Sequence, residues 1–399
     1  MLEASRLDFP DPREHLLTRV LPFWARHSVD SDYGGFITHL SRTGKAYDPS
    51  AKYLVMQTRM IYSLATGSAL GGPQGWLGAA AQGVEFLLGR FRDTEHDGWF
   101  WSVTQAGAPV EMAKRMYGHA FVVFALSEYA RIARDRRALA AAVHTCALCA
   151  HHFWDDAHGG VGEECGRDWS PVARGHTMGT HLHALEALLA LNQAAGGNHY
   201  GAHIRTVADL VTTRMVDPDL GCGIEHFAAD WMPEAEGKRG LVNYGHNLEA
   251  AWLLLRVQRA DPNPVYRDTA RGFLEYVFRF GLDGAHGGIF SHGPRNQPAT
   301  EREKVWWVQC EALPAFLLGY LEFGDDRYFG AFRNVWDFCL KCLHDPEFGE
   351  WYPVAEENGI PREINKGGTW KAAYHVTQAL AYASEYLEEM RAPGTACPA

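Results

Sequence analysis

The chain lacks any long hydrophobic run and any block of like charge. No stretch approaches 18 uninterrupted apolar residues, so the sequence predicts no membrane-spanning helix. The net charge is −11 and basic residues are scattered, which argues against nucleic acid or an anionic membrane as a partner. The first 17 residues lack the basic start and apolar core of a signal peptide. A soluble cytoplasmic protein is therefore the expectation.

Three further features are missing. There is no Gly-rich phosphate loop, and no Ser or Cys stands in a recognisable nucleophile motif. This argues against nucleotide chemistry and against acyl transfer. No Pro/Gly/Ser-rich linker divides the 399 residues, so we expect one catalytic domain over residues 1–399, with about 391–399 as a frayed tail.

Two CxxC pairs raise the possibility of a zinc site, Cys146/Cys149 and Cys339/Cys342. Both pairs stand inside helical patterns without the glycines of a zinc knuckle. We therefore expect these cysteines to pack as small apolar residues, with no metal bound.

A turn-like motif recurs six times along the chain. Its central residue, called the anchor below, repeats at steps of 63, 62, 63, 65 and 62 residues. An aspartate stands five residues before the anchor in five copies and six residues before it in the fourth. This regularity predicts six copies of one structural unit. The anchors are Gly35, Gly98, Gly160, Gly223, Gly288 and Glu350.

Each unit reads as an apolar helix, a turn with a short strand, a polar loop and a second helix. Six units give twelve helices, and the second helix of each unit is apolar nearly all round, as a surrounded helix should be. We predict an all-α fold, an (α/α)6 barrel of twelve helices with short β-hairpins at one end. An open solenoid of helical hairpins is the alternative.

Each of these inner helices carries an ionisable residue near its start, 21 to 25 residues after the anchor. In a closed barrel, six such side chains would converge on one end of the axis and form the floor of a pocket. A structural network of buried histidines is the alternative. The six residues are Arg59, His119, His183, His246, Glu311 and His375.

Aromatic residues lie at or just before the same helix starts, as expected for a pocket whose rings stack on a sugar, although core packing explains each equally well. Because Trp306 and Trp307 are adjacent on a helix, we expect at most one of them to line the pocket. Glu186 and Glu249 each follow a ring histidine by three residues and are expected to orient it. The aromatic set is Tyr117, Tyr244, Trp306, Trp307 and Trp370.

The predicted ring contains four histidines, one arginine and a glutamate. Histidine transfers protons near neutral pH, so two histidines on opposite sides of a carbon acid can remove a proton from one face and return it to the other. Arginine can stabilise an enediolate oxygen. This set suits epimerisation or isomerisation at the carbon next to a carbonyl.

The segments THLHALEA, YGHNLEAAWLL, WWVQCEAL and GTWKAAYH resemble the N-acylglucosamine 2-epimerase superfamily, and the likeness covers nearly the whole chain. This resemblance implies an (α/α)6 barrel whose relatives include cellobiose and mannose 2-epimerases and mannose isomerases. It implies no metal or nucleotide cofactor. It also implies that His246 and His375 are the acid/base pair at C2, and that Arg59 and His183 bind the sugar oxygens and help to open the ring.

The same resemblance implies that Glu249 orients His246 and that Trp370, with one of the two adjacent tryptophans, stacks on the sugar. The chain reads GTHLH at 179–183 where cellobiose 2-epimerases tend to read NTHLH, and it departs from KGxILxxR around Arg59. These departures favour free mannose and glucose as substrates. Mannose–fructose isomerisation comes second, and N-acetylmannosamine or cellobiose epimerisation comes third.

Three other functions remain open on sequence grounds. An inverting glycosidase would need a carboxyl pair such as Glu249 and Glu311. His183, His246 and His375, with Glu311, offer ligands for zinc or manganese. A barrel that only binds sugar is the third. The expected partner is a small-molecule sugar, and the expected assembly is a monomer or homodimer.

Overall fold

The computed structural model describes residues 9–172, 175–234 and 236–392. Twelve helices lie within these ranges. The first, α1, is a continuous run of the segments Pro12–His15, Leu16–Val20 and Leu21–His27, of which the middle one is π-helical. The others are α2 Leu54–Ala69, α3 Gln74–Phe86 with the π-helical extension Leu87–Phe91, α4 Met116–Ala133, α5 Arg136–His152, α6 Met178–Ala194, α7 Gly201–Thr213, α8 Tyr244–Ala260, α9 Pro264–Phe280, α10 Trp306–Phe323, α11 Asp326–Phe338 with the π-helical extension Cys339–Leu343, and α12 Tyr374–Arg391.

The even-numbered helices form a closed inner ring. Each packs against the next, and α12 packs against α2. Each odd-numbered helix from α3 to α11 packs outside the inner helix that precedes it, while α1 packs against α12 and completes the last pair. The predicted (α/α)6 barrel is therefore confirmed, and the open solenoid was wrong. The expected tail lies, from residue 393 onward, outside the described residues.

Inner and outer helices begin in different ways. Several outer helices have an Asp or Asn cap whose side chain accepts a backbone N–H, such as Asp135 before α5 and Asp325 before α11. Asn263 caps α9, and Pro264 follows at the first helical position. The inner helices from α2 to α10 all follow directly from short strands, and in α6 and α8 the last strand residue, Thr177 or Asn243, also caps the helix. Their start is therefore tied to the end of the barrel where those strands lie.

The six anchor turns are structurally equivalent. In each, the aspartate side chain accepts backbone N–H groups two and three residues later, and one bridge closes the turn. The bridges join Val29–Phe36, Arg92–Trp99, Trp154–Val161, Val216–Gly223, Leu282–Ile289 and His344–Trp351.

This equivalence corrects the repeat alignment in the fourth copy. The bridge from Val216 reaches Gly223, and Asp217 N–H donates to the Cys222 carbonyl as Asp30 N–H donates to that of Gly35. The anchor is therefore Cys222, and its aspartate stands five residues before it, as in the other copies.

Within the described part of the chain, fourteen short strands lie at the end of the barrel where the inner helices begin. Most pairs join neighbouring units, because the strand before an inner helix pairs antiparallel with the strand after the next anchor. Hydrogen bonds of Leu40 with Lys366 and Gly367 join the first unit to the last. The strands are β1 His39–Leu40, β2 Ala46–Asp48, β3 Ala51–Tyr53, β4 Ser102–Thr104, β5 Pro109–Glu111, β6 Lys114–Arg115, β7 Glu164–Cys165, β8 Gly175–Thr177, β9 His226–Ala228, β10 Val242–Asn243, β11 His292–Gly293, β12 Lys304–Val305, β13 Val354–Ala355 and β14 Pro361–Glu363.

Buried lysines pair with the anchor-turn aspartates in four units. One of these four pairs belongs to the fifth unit of the chain. There Lys304 Nζ lies 2.9 Å from Asp283 Oδ2 and 2.9 Å from the Gly287 carbonyl, and the side chains of Lys304 and Asp283 are almost fully buried. Removing one partner of such a pair leaves an uncompensated buried charge.

We expect Lys304→Met to lower the free energy of unfolding by about 3–5 kcal/mol, since Asp283 loses its counter-charge. Denaturant unfolding measures the effect. Adding Asp283→Asn should recover part of the loss, because Asn keeps the oxygen that accepts from Ala285 and His286 N–H. A double variant no more stable than the single one would contradict this account.

Within the described ranges, no helix combines the length and the apolar character needed to cross a membrane. The cysteines of the CxxC pairs belong to helices α5 and α11, where Cys149 and Cys339 are buried in the core and Cys146 and Cys342 are half-buried.

Candidate active site

A cavity of about 480 Å³ opens at the end of the barrel where the inner helices begin. Nine of the twelve residues predicted for the site line it. They are Arg59, Tyr117, His183, His246, Glu249, Trp306, Trp307, Trp370 and His375. The other three, His119, Tyr244 and Glu311, lie outside the lining.

His246, the third residue of α8, has a carboxylate partner in its own unit, from the segment that follows the anchor turn. Its Nδ1 lies 2.6 Å from Glu225 Oε2, and Glu225 Oε1 accepts the Gly179 N–H at 3.4 Å. Burial acts to raise the pKa of Glu225, but the adjacent His246 outweighs it and the net shift is downward. Glu225 is therefore ionised at neutral pH. It fixes the ring of His246 and leaves Nε2 facing the cavity.

His375, the second residue of α12, has a more deeply buried partner. Its Nδ1 lies 2.8 Å from Glu311 Oε1, and Glu311 Oε2 accepts from Trp252 Nε1 at 2.8 Å. Burial, with neighbouring Arg59, holds the pKa of His375 well below its usual value. Burial also raises the pKa of Glu311 to about 8. Both directions favour the uncharged forms of this pair.

The two histidines share one aromatic neighbour. The ring of Trp307 lies 5.0 Å from that of His246 and 5.9 Å from that of His375, measured between centroids. The site therefore presents two imidazoles around a single indole. Each ring has its Nδ1 bonded to a carboxyl group, as a general acid or base requires for orientation.

Arg59 is held by oxygen atoms and aromatic faces. Its guanidinium donates to the Trp370 carbonyl and to Tyr117 Oη at 2.8 Å, and it lies 4.5 Å from the ring centre of Phe121 and 5.1 Å from that of Tyr374. This permanent charge is therefore rigidly placed beside the cavity.

His183 and Glu249 line the floor of the cavity, and Glu186 contacts His183 from outside the lining. His183 Nδ1 lies 3.2 Å from Glu186 Oε2 and 3.5 Å from Glu249 Oε1. Glu186 also accepts from the Tyr374 hydroxyl, whereas among the described residues neither oxygen of the buried Glu249 has a hydrogen-bond partner. Burial, together with Glu311 and Glu186, raises the pKa of Glu249 well above its usual value.

The prediction that Glu249 orients His246 is corrected by this geometry. Glu249 is the sixth residue of α8 and lies beside His183, while His246 is bonded to Glu225. Three positions along a helix place two residues on one face, but here the two side chains contact different neighbours.

The predicted ring does not occupy one helix position. Arg59, His183 and Glu311 are the sixth residues of their helices, whereas His119 is the fourth, His246 the third and His375 the second. The sixth-position column also includes Glu249. Arg59, His183 and Glu249 therefore line the cavity from the sixth helix position, while Glu311 at the same position lies outside the lining. His246 and His375 line it from earlier positions, nearer the helix starts.

His119 is the fourth residue of α4, and the side chains at this helix position bind the anchor turns of the first five units. Its Nε2 accepts the Trp99 N–H of the anchor turn, its Nδ1 donates to the Arg115 carbonyl, and burial lowers its pKa to about 3. Gln57, His181, Asn247 and Gln309 accept the equivalent turn N–H in their own units. The predicted substrate contact of His119 is therefore replaced by a bond to the backbone.

Tyr244 and Glu311 also differ from expectation. Tyr244 is buried and its ring lies 6.5 Å from that of Tyr276 on the outer helix α9, so it packs outward. Glu311 lies behind His375, with its oxygens bonded to His375 and Trp252. It reaches the cavity only through the histidine, a geometry that does not suit a glycosidase carboxyl acting directly on a sugar.

Both adjacent tryptophans line the cavity, where at most one was expected. Trp307 contacts His246, while Trp306, the first residue of α10, faces His375 at 6.2 Å and has Lys371 Nζ 5.4 Å from its ring. The cavity wraps around the start of α10, so side chains pointing in different directions both reach it. Trp370 is half exposed at the rim, 5.7 Å from Trp101.

Glu225, Glu163 and Trp101 also line the cavity, and none of them was predicted from the sequence. All three stand three residues after the structural anchor of their unit, counted from Cys222 in the fourth. That shared position was the available signal, and the misplaced fourth anchor obscured it. Glu163 is held by Thr177 and by the Thr180 hydroxyl at 2.6 Å.

Gly179, the second residue of α6, leaves room for the ring of His246. A Cβ there would lie 2.9 Å from His246 Cε1 and 3.1 Å from Nε2. We expect Gly179→Ala to displace this ring and lower kcat about 10²-fold, as misplacing a catalytic group does. Steady-state kinetics on the sugar that the enzyme converts measure this.

Gly75 provides a matched control, because it is the second residue of outer helix α3 and a Cβ there would meet no described atom within 4 Å. Gly75→Ala should leave kcat unchanged. Equal rates for the Gly179 and Gly75 variants would contradict the proposed crowding of His246.

The candidate metal ligands of the ring are not closely grouped. Among the described residues, a set of acid and histidine ligand atoms all within 4.8 Å of one another occurs at Asp283, His286 and Glu357, of which Asp283 is buried and His286 exposed. The Asp283 carboxylate of that set is already paired with Lys304. The central histidines are instead bonded one by one to carboxyl groups.

These features define an (α/α)6-barrel protein with a central cavity lined by histidines, carboxyl groups and aromatic rings. The N-acylglucosamine 2-epimerase (GlcNAc 2-epimerase) family model matches residues 35–379, and the chain belongs to this family. Human N-acylglucosamine 2-epimerase is 30% identical over 390 residues, 93% of this chain and 88% of the relative. D-mannose isomerase of Marinomonas mediterranea is 25% identical over 91% of this chain and 94% of the relative. The structure of cellobiose 2-epimerase from Spirochaeta thermophila aligns with a TM-score of 0.88 at 30% identity, covering 96% of each chain.

Proposed function

We propose that this protein interconverts the C2 epimers of a free aldose, first of all mannose and glucose, by proton transfer through an enediolate. As a member of its family, the chain is a carbohydrate epimerase or isomerase. One observation carries the mechanism: two histidines line one cavity, and each has its Nδ1 bonded to a carboxyl group, which leaves Nε2 for substrate.

The proposed reaction starts from the open-chain sugar. One histidine removes the C2 proton, which is acidic because the carbonyl is adjacent, and the other supplies a proton to the opposite face. The Arg59 guanidinium stabilises the negative oxygen of the enediolate. His183 binds a sugar oxygen and helps to open the ring.

The cavity lining suits an uncharged sugar. Among the described lining residues, the permanent cations are Arg59 and Arg115. Arg115 forms ion pairs with Glu111 and Glu164 at 3.4 and 3.3 Å. The Arg59 guanidinium already donates hydrogen bonds to the Trp370 carbonyl and the Tyr117 hydroxyl. A phosphorylated sugar would need free cationic donors. Trp307 and Trp370 offer faces for stacking.

Aldose–ketose isomerisation is the second candidate. The similarity to a D-mannose isomerase favours it, because one base on one face can move a proton between C2 and C1. The two outcomes share an enediolate and differ in where the proton returns.

The test is NMR of mannose, glucose, fructose, cellobiose and N-acetylmannosamine in D2O with the enzyme. We expect mannose and glucose to interconvert, with solvent deuterium at C2 of the product. Fructose as the main product would support the isomerase instead. Binding of a sugar without deuterium incorporation would indicate a protein that binds sugar without catalysis, and it would overturn the proposal. Activity lost on prolonged chelation and restored by a divalent metal would overturn the metal-free mechanism.

A further inference from the structure

The carboxyl partners of the two histidines differ in their surroundings. The Glu225 side chain is 12% exposed and that of His246 is 18% exposed, so this pair lies near the mouth. The Glu311 and His375 side chains are 3% and 7% exposed. Ionisation is therefore less costly for the His246–Glu225 pair than for the His375–Glu311 pair.

Neighbouring charges increase this difference. The His375–Glu311 pair is surrounded by ionisable groups from four parts of the chain. They are Arg59 from α2, His183 and Glu186 from α6, His246 and Glu249 from α8, and Lys371 just before α12. Repulsion from Glu186 acts with burial against an ionised Glu311, while Arg59 acts in the opposite direction. The pKa of Glu249 is itself raised by burial and by Glu311 and Glu186. The ionisable groups around the His246–Glu225 pair are His226, His292, His183 and the carboxyl of Glu163.

Hydrogen bonds determine which oxygen or nitrogen carries the proton in each pair. Glu311 Oε2 accepts from the Trp252 indole, so its proton can lie only on Oε1, which faces His375 Nδ1. A protonated Oε1 donates to Nδ1 and requires the imidazole proton to be on Nε2. Glu225 instead accepts from the Gly179 N–H and from His246, as a carboxylate does.

We infer that the two histidines rest in opposite tautomers, each set by its carboxyl partner. His246 donates Nδ1–H to an ionised Glu225 and presents a bare Nε2, the base. His375 accepts at Nδ1 from a protonated Glu311 and carries its own proton on Nε2, the acid. Glu225 and Glu311 are positioning residues that assign these roles, and Glu311 is also the proton store behind His375.

The catalytic consequence rests on the proposed function. His246 Nε2 takes the C2 proton and becomes an imidazolium paired with Glu225. His375 gives its Nε2 proton to the opposite face of C2 while the Glu311 proton passes to Nδ1. The C2–H bond breaks and a new one forms, and the site keeps its total charge because Glu311 loses the proton that His246 gains. The opposite epimer, or exchange with solvent at the mouth, restores the resting state.

Ring ¹⁵N NMR of the full-length, histidine-labelled enzyme without substrate tests the assignment. His246→Asn and His375→Asn identify the signals. We expect a neutral Nδ1–H tautomer for His246 and a neutral Nε2–H tautomer for His375. The same tautomer in both rings, or an imidazolium at His375 at pH 7, would overturn the inference. Because no substrate is present, failure here is distinct from failure of the proposed function.

Glu311→Gln provides a second test. Its amide can donate to His375 Nδ1 and accept from Trp252, as the protonated acid does, so the His375 shifts should keep the pattern of the Nε2–H tautomer. A switch of His375 tautomer in this variant would show that Glu311 is ionised. The infrared difference between wild type and this variant should contain a carboxylic-acid C=O band, which the Glu225→Gln difference lacks.

In the D2O assay, Glu311→Gln should lower epimerisation about 10²–10⁴-fold, because an amide cannot release the proton that His375 needs. Exchange of C2–H at the face of His246 should continue. Unchanged epimerisation by this variant would overturn the role of Glu311 as the proton store.

Discussion

His246→Asn and His375→Asn are each expected to lower the epimerisation rate about 10²–10⁴-fold, the usual contribution of a general acid or base. Asn keeps a polar side chain but cannot transfer a proton near pH 7. Epimerisation needs a group on each face of C2, so either change alone is enough to slow it. The double variant should cost far less than the product of the two single effects, because the pair acts as a unit.

Deuterium exchange at C2 distinguishes the roles of His246 and His375. In D2O, His375→Asn should still exchange C2–H of the epimer whose proton faces His246, without forming the other epimer. An isomerase would behave differently, because one histidine would then matter far more than the other for mannose–fructose conversion. Wild-type rates for both variants on every sugar of the panel would refute the proton-transfer assignment.

His119→Gln is the control for these variants. His119 lies at the same end of the barrel, but it binds the turn N–H of Trp99, a role that Gln57 and Gln309 fill in their own units. Its replacement by Gln should therefore leave kcat unchanged. A large loss of kcat would place His119 in the reaction after all.

The repeat made the fold predictable from sequence. An anchor aspartate that accepts two turn N–H groups recurs because the same turn recurs, so its spacing along the chain is enough to reveal six units. The fourth anchor was misplaced because Gly221 and Gly223 flank Cys222, and either glycine looks like a turn residue. In the structure Gly221 has the positive φ, of 67°.

The site was less predictable, because counting from an anchor ignores differences in loop length before each helix. One helical residue rotates a side chain by about 100°, so a shift of two positions turns His119 away from the axis that His183 faces. Glu225 was missed because the fourth anchor was placed one residue too late. This hid the position of Glu225 three residues after the anchor, the position that Trp101 and Glu163 hold in their own units.

Arg59 is the other residue whose replacement should have a very large effect. Its guanidinium holds the Trp370 carbonyl and the Tyr117 hydroxyl while packing on the faces of Phe121 and Tyr374. A lysine ammonium offers a point charge with neither the planar fork nor the stacking. The stabilisation of an enediolate depends on a donor that is already in place when charge develops.

We expect Arg59→Lys to lower kcat about 10²–10³-fold, the cost of losing one preorganised donor to an oxyanion, with a smaller change in KM. Arg256→Lys is the matched control, because Arg256 packs on the Tyr382 ring at 4.5 Å and bonds to its hydroxyl but lies outside the cavity lining. That control should lose stability in thermal unfolding and keep its kcat. If the two lysine variants lose activity in parallel with their stability, the effect at Arg59 is structural. If Arg59→Lys alone loses kcat while its unfolding matches that of the control, the guanidinium acts on the enediolate.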